Sequence, residues 1–216
     1  MPMMITRYGL LAALASGAML AACSKGKESA TTDTASAAGA VAANDTANRA
    51  VGDSSNPANA SNAGQWSPPN VLAFATAANN AEIAEGGLAE RKATNPAVKA
   101  FARQMVTDHR AMLQEGKSFA SKQNITPDTT AQVATDLRNT VKDQMTDLTQ
   151  KKAGKDWDSD YIDKQIDAHK DVLSKLQDAE KSTTDPQLKA MLTKAIGKVQ
   201  EHLTKAQDIK DNKLKS

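Results

Sequence analysis

The chain has 216 residues and a formal charge of +2, from 27 Lys and Arg against 25 Asp and Glu. Aromatics make up 3% and the charges of both signs are interleaved, so the basic stripe with stacking rings of a nucleic-acid surface is absent. Strand-forming runs of Val, Ile, Tyr and Phe are missing while Ala and Lys abound, which favours helix over sheet, and the length leaves room for one domain with flanking segments.

The chain opens with Arg7, a nearly continuous apolar run from Tyr8 to Ala22, and then Leu20-Ala21-Ala22-Cys23. Such a run is too short to span a bilayer and predicts a signal peptide over residues 1–22. The last four residues resemble a lipobox, which predicts lipidation of Cys23. Cys23 is the only cysteine, so no disulfide within the chain competes for it. An ordinary secretory cleavage that leaves a cysteine is the alternative. Acyl chains gain about 0.8 kcal/mol per buried methylene, so two or three on one residue anchor stably. Ser24 follows the cysteine where Asp would mark retention by resemblance to Gram-negative sorting rules. The expectation is an exported lipoprotein on the periplasmic face of the outer membrane.

Residues 23–65 are Ala, Ser, Thr, Asn, Asp and Gly with few large apolar groups. They bury too little surface to offset ordering entropy and read as a disordered, lipid-anchored linker. A coil of that length spans roughly 35–40 Å. Trp66-Ser67-Pro68-Pro69-Asn70 marks entry into the helical domain, residues 66–216.

Five helices are predicted there from apolar spacings of three and four. The first runs from about Asn70 to Ala93, with Val71, Phe74, Ala78, Glu82, Glu85 and Leu88 on one stripe. The second starts at Asn95 as cap and Pro96 as first residue, and carries Val98, Phe101, Met105, His109, Met112 and Phe119. Pro127 and Asp128 open the third, with Val133, Leu137, Val141 and Leu148, and Gly154 breaks the pattern. The fourth starts near Asp156 to Asp158 with Tyr161, Ile162, Ile166, His169, Leu173 and Leu176. Asp185 and Pro186 open the fifth, with Leu188, Leu192, Ala195, Val199, His202, Ala206 and Ile209.

Thr94-Asn95-Pro96-Ala97-Val98-Lys99-Ala100-Phe101 matches Thr184-Asp185-Pro186-Gln187-Leu188-Lys189-Ala190-Met191 in pattern. Each copy is a tight turn between two helices, which predicts two antiparallel hairpins with the third helix crossing between them. The expected fold is a four-helix bundle with a fifth, crossover helix, the ferritin-like arrangement.

All three histidines fall on apolar stripes. Reflecting the first hairpin about Asn95–Pro96 puts Glu82 opposite His109; reflecting the second about Asp185–Pro186 puts His169 opposite His202. One carboxylate and three imidazoles then converge at mid-bundle, with Glu85 a turn away. Three readings stand: a buried hydrogen-bonded cluster that specifies helix packing, a mononuclear zinc or iron site, and histidines satisfied separately. A di-iron carboxylate site is not expected. Val106, Ile166 and Val199 stand three before the histidines, where that site needs Glu, and Asp108, Asp167 and Glu201 point largely away from the stripe. No Ser or Cys is paired with a histidine and no phosphate loop is present, so the case for catalysis without a metal is thin.

The stretch from Phe74 to about Ile209 resembles a bacterial family of ferritin-like domains of unknown function (number 4142), of the exported lipoprotein and outer-membrane-protein type. The matching pieces are Ala81-Glu82-Ile83, Asn95 to Ala102, Met105-Val106-Thr107-Asp108-His109, Trp157-Asp158-Ser159-Asp160-Tyr161-Ile162-Asp163, Asp167-Ala168-His169 and Glu201-His202-Leu203. Trp157 stands where the family more often has Phe. The resemblance implies a ferritin-like bundle in the envelope, and its pattern includes the Glu82, His109, His169 and His202 positions. It implies no activity.

The first functional reading is a structural or stress-related binding module of the envelope. The second is storage, sensing or detoxification of a transition metal by Glu82, His109, His169 and His202, with Glu85 as a further ligand. The third is a protein-interaction module with an envelope protein as partner, for which Lys142, Lys151, Lys152 and Lys155 offer a modest basic cluster.

Overall fold

Three of the five long helices begin at a proline, whose missing N–H costs nothing in a first helical turn. The computed structural model describes residues 64–214; the signal peptide expected over 1–22, Cys23 and the linker as far as residue 63 lie outside the described residues. The helices are α1 (Pro68–Lys92), α2 (Pro96–Gln123), α3 (Gln132–Gln150), α4 (Lys155–Ser182) and α5 (Pro186–Asn212). Among the described residues there is no strand, so the all-α expectation holds. No helix there is long and apolar enough to cross a membrane.

The repeated turn signals act as caps. Asn95 Oδ1 accepts from the Ala97 amide at 2.8 Å, and Asp185 Oδ1 accepts from Gln187 and Leu188 at 2.8 and 2.9 Å. Each satisfies amides that a helix start would leave orphaned. Pro127 and Asp128, by contrast, do not open α3. Asp128 Oδ1 accepts from the Thr130 amide and hydroxyl at 2.9 and 2.6 Å, so the side chain closes a turn of its own and the helix waits until Gln132.

α1 and α2 form one antiparallel hairpin and α4 and α5 the other, with α3 packed mainly on α1. Gly86 allows the first hairpin to close: a Cβ there would stand 2.8 Å from Val106 Cγ2 and 3.1 Å from the Ala102 carbonyl oxygen. The joint near α4 is built from polar groups. Buried Asp158 accepts from the Thr94 amide (2.9 Å), the Thr94 hydroxyl (2.6 Å) and the Asn95 amide (2.8 Å). Lys92 Nζ donates to the carbonyls of Leu148, Thr149 and Lys151, neutralising the negative end of α3.

The apolar core comes in two halves. One holds Val71, Phe74, Val133, Leu176, Leu188 and Leu192; the other holds Val98, Phe101, Met105, Trp157, Ile162 and Ile209. Each of α1, α2, α4 and α5 passes from one half to the other, and at the crossing each carries buried polar residues: Asn79, Glu82 and Glu85 on α1, His109 on α2, Gln165 and His169 on α4, His202 on α5. A polar layer therefore cuts the bundle between two dry halves. Burying it costs free energy that only hydrogen bonds or a bound ion offset.

Candidate metal centre

The three imidazoles meet inside that layer. Ring centroids lie 6.0 Å apart for His109–His169, 5.2 Å for His109–His202 and 5.6 Å for His169–His202. Each residue offers a ring nitrogen, and these nitrogens lie within 4.8 Å of one another. His109 is 4%, His169 2% and His202 0% exposed.

One nitrogen of every ring is held from outside the cluster, and the identity of each partner fixes the tautomer. Asn79 Nδ2 donates to the Ala75 carbonyl at 2.8 Å, which orients its amide so that Oδ1 faces His109 Nδ1 at 2.9 Å. An oxygen only accepts there, so His109 carries its proton on Nδ1. His169 Nδ1 lies 2.8 Å from the Gln165 carbonyl oxygen, again an acceptor. His202 Nε2 lies 2.8 Å from Asp108 Oδ2. Burial alone would raise Asp108, but hydrogen bonds from His202 and Gln104 and the charge of Lys198 outweigh it and hold the carboxyl below its ordinary range. Asp108 is therefore ionised and accepts.

Each ring is left with a bare lone pair. His109 Nε2, His169 Nε2 and His202 Nδ1 are buried and have no hydrogen-bond partner. Burial, followed by repulsion from the other two rings, pushes His109 well below the usual imidazole range. Burial brings His169 down to about 4 against the opposing bond to Gln165, and lowers His202 despite Asp108. All three rings are neutral at pH 7, the state in which imidazole binds metal.

Glu82 and Glu85 stand apart from this tripod. Glu82 Oε1 lies 3.8 Å from His169 Nδ1, on the ring edge held by Gln165, and Glu85 Oε2 accepts from Gln165 Nε2 at 2.8 Å. Burial pushes Glu82 up to about 7 against a bond from Gln165; burial and then the Glu82 charge push Glu85 up to about 8. The reflection that paired Glu82 with His109 is displaced by one turn: Asn79 takes that place. Asp108, expected to point away, reaches across from the flank of α2 to α5. In the basic cluster, Lys151 Nζ lies 3.4 Å from Asp160.

The family model described as "Domain of unknown function (DUF4142)" matches residues 53–209. The chain belongs to this family. The DUF4142 match spans every residue of the polar layer. No curated protein and no solved structure matches the chain.

Two residues that position the site escaped the sequence reading, Asn79 and Gln165, and a third, Asp108, was expected to point away. Gln165 carried a visible signal, since it sits between Ile162 and His169 at helical spacing on the α4 stripe. Asn79 lies beside Ala78 on the edge of the α1 stripe, and a mid-helix Asn bonding back to the i−4 carbonyl is a local feature that periodicity does not register.

Proposed function

We propose that this DUF4142 protein binds one transition-metal ion, zinc or iron(II), through His109, His169 and His202. In this reading the bundle is ferritin-like in its hairpins and its crossing α3. It rides on an exported lipoprotein anchored through Cys23 at the periplasmic face of the outer membrane, and retains metal rather than performing catalysis.

The observation that carries the reading is the set of three unpartnered, buried, neutral imidazole nitrogens with tautomers fixed from behind. In metal sites the second ring nitrogen of a ligating histidine commonly donates to a carboxylate or carbonyl, and Asn79, Gln165 and Asp108 supply three such acceptors. A purely structural network would need donors inside the cluster. A central water donates to only two of the three lone pairs, and a buried acceptor without a donor costs about 1–3 kcal/mol. A divalent cation satisfies all three at once.

Zinc binds imidazole at about 2.0–2.1 Å, which puts nitrogens about 3.3 Å apart in a tetrahedron; the present limit of 4.8 Å calls for a small inward turn of the rings. Three protein ligands leave a fourth position open for water or exchange. The ionised Asp108 behind His202 offsets part of the ion's charge. A di-iron carboxylate centre is not part of this reading, for the reason visible in Val106, Ile166 and Val199.

The test is elemental analysis of the chain purified untagged from rich medium and dialysed without chelator, beside His109→Ala. Near-stoichiometric zinc or iron in the wild type, lost from a variant that keeps its helical signal, is the expected result. Protein that is metal-free and refuses added zinc and iron(II) contradicts the reading.

A further inference from the structure

A second set of unpartnered atoms lies on the other side of His169. Glu82 and Glu85, one turn apart on α1, are 6% and 2% exposed. Each has an oxygen with no donor, Glu82 Oε2 and Glu85 Oε1, and the Gln165 amide oxygen beside them is also without a partner. Among the described residues, neither carboxyl has a Lys or Arg within ion-pair distance; Lys164, the nearest positive influence on Glu85, is engaged by Asp147 at 2.9 Å. Both carboxyls line a pocket of about 170 Å³ between α1, α3 and α4, along with Thr140, Gln144, Asp167 and Asp171. That volume admits several waters; the polar half of its lining is oxygen-rich with no basic side chain, and alanines, Leu137, Val141 and Val172 make up the rest.

We propose that Glu82 and Glu85, assisted by pocket waters, bind a hard divalent cation such as manganese(II) at a site separate from the histidine tripod. Two carboxylates neutralise a dication, and an all-oxygen set suits manganese, magnesium or calcium where imidazoles suit zinc. Asp167 and Asp171 at the pocket wall are each paired with a lysine of their own helix, Lys170 and Lys175, so the charge that meets the ion comes from Glu82 and Glu85. The two sites share no ligand: the unpartnered nitrogen of His169 is Nε2, while its Nδ1 lies 2.8 Å from the Gln165 carbonyl oxygen and 3.8 Å from Glu82 Oε1.

The experiment titrates manganese(II) into the zinc-loaded chain and follows loss of the free-ion paramagnetic resonance signal. The expected result is uptake of one manganese per chain with zinc retained. In the Glu82→Gln/Glu85→Gln double variant, whose amides match protonated carboxyls in shape, manganese affinity falls at least about tenfold while zinc stoichiometry is unchanged. Absence of uptake by the zinc-loaded wild type up to about 1 mM overturns the proposal whatever the variant does, and leaves the carboxyls as a pair that holds protons. Equal uptake by the double variant also overturns it. Should zinc fail to load, the tripod reading falls separately, and the same titration on the metal-free chain still decides the carboxylate site.

Discussion

Asn79→Ala separates a metal-positioning layer from a merely structural one. The Asn79 amide is locked by the Ala75 carbonyl at 2.8 Å and receives the His109 Nδ1 proton at 2.9 Å. Removing it leaves that N–H buried without an acceptor, at a cost of about 1–3 kcal/mol to the metal-free protein. For a domain of this size each kcal/mol lowers Tm by about 2–4 °C, so a fall of several degrees is expected. The second effect is on the ion. Without Asn79 the proton is free to move to Nε2, which removes a lone pair from the tripod, and loss of such an outer partner typically weakens metal binding about 10–100-fold. That is about 1.4–2.7 kcal/mol of binding free energy. Zinc affinity is read by competition with a chromophoric chelator, and Tm by circular dichroism with and without zinc. A variant with the expected loss of Tm but wild-type zinc affinity would refute the argument that Asn79 holds His109 for a cation.

Three further outcomes follow from the geometry. In the metal-free protein, Glu82 and Glu85 hold protons more tightly when folded than their ordinary value of 4.5. Their stabilising contribution is therefore full below that value and is lost as pH rises through about 7 and about 8. The histidines, all lowered from 6.5, act in the opposite sense only below that pH, so Tm should fall between pH 6.5 and 8, by at most about 1.4 kcal/mol per pH unit for each carboxyl. Glu85→Gln should flatten this slope, and a pH series of melts checks it. Gly86→Ala and Gly87→Ala should differ in sign: a Cβ at Gly87 meets only Arg91 Nη1 at 3.8 Å and should stabilise by about 0.5–1 kcal/mol. At Gly86 the clash with Val106 and the rigid Ala102 carbonyl should outweigh that gain by about 1 kcal/mol or more in urea unfolding. Asp158→Ala should cost at least about 3 kcal/mol in the same assay, because it strands the Thr94 and Asn95 donors in a buried joint.

The helical class, the proline starts of α2 and α5 and the caps at Asn95 and Asp185 were legible because each is a local signal within a few residues. The meeting of three histidines was legible for a different reason: antiparallel hairpins with short turns fix depth from residue number alone. Depth is only as good as the assumed turn centre. α1 ends at Lys92 and α2 begins at Pro96, so the turn centres on Thr94 rather than on Asn95–Pro96, and the residue facing His109 becomes Asn79. That displacement sends Glu82 towards α4 and puts an amide where a carboxylate was expected. Asp108 was missed because stripe logic treats a flank residue as solvated, although on α2 that flank borders α5. Asp128 was misplaced because Pro-Asp suits a helix start and an Asx turn equally, and only the Thr130 hydroxyl beyond it decides.

The most direct test of the central claim is zinc K-edge X-ray absorption on the chain loaded with one equivalent of zinc. The account predicts about three imidazole nitrogens at about 2.0–2.1 Å, one water oxygen completing the shell and no second metal scatterer. A shell of oxygens without imidazole scattering, or zinc that dialyses away before the spectrum is taken, would contradict it.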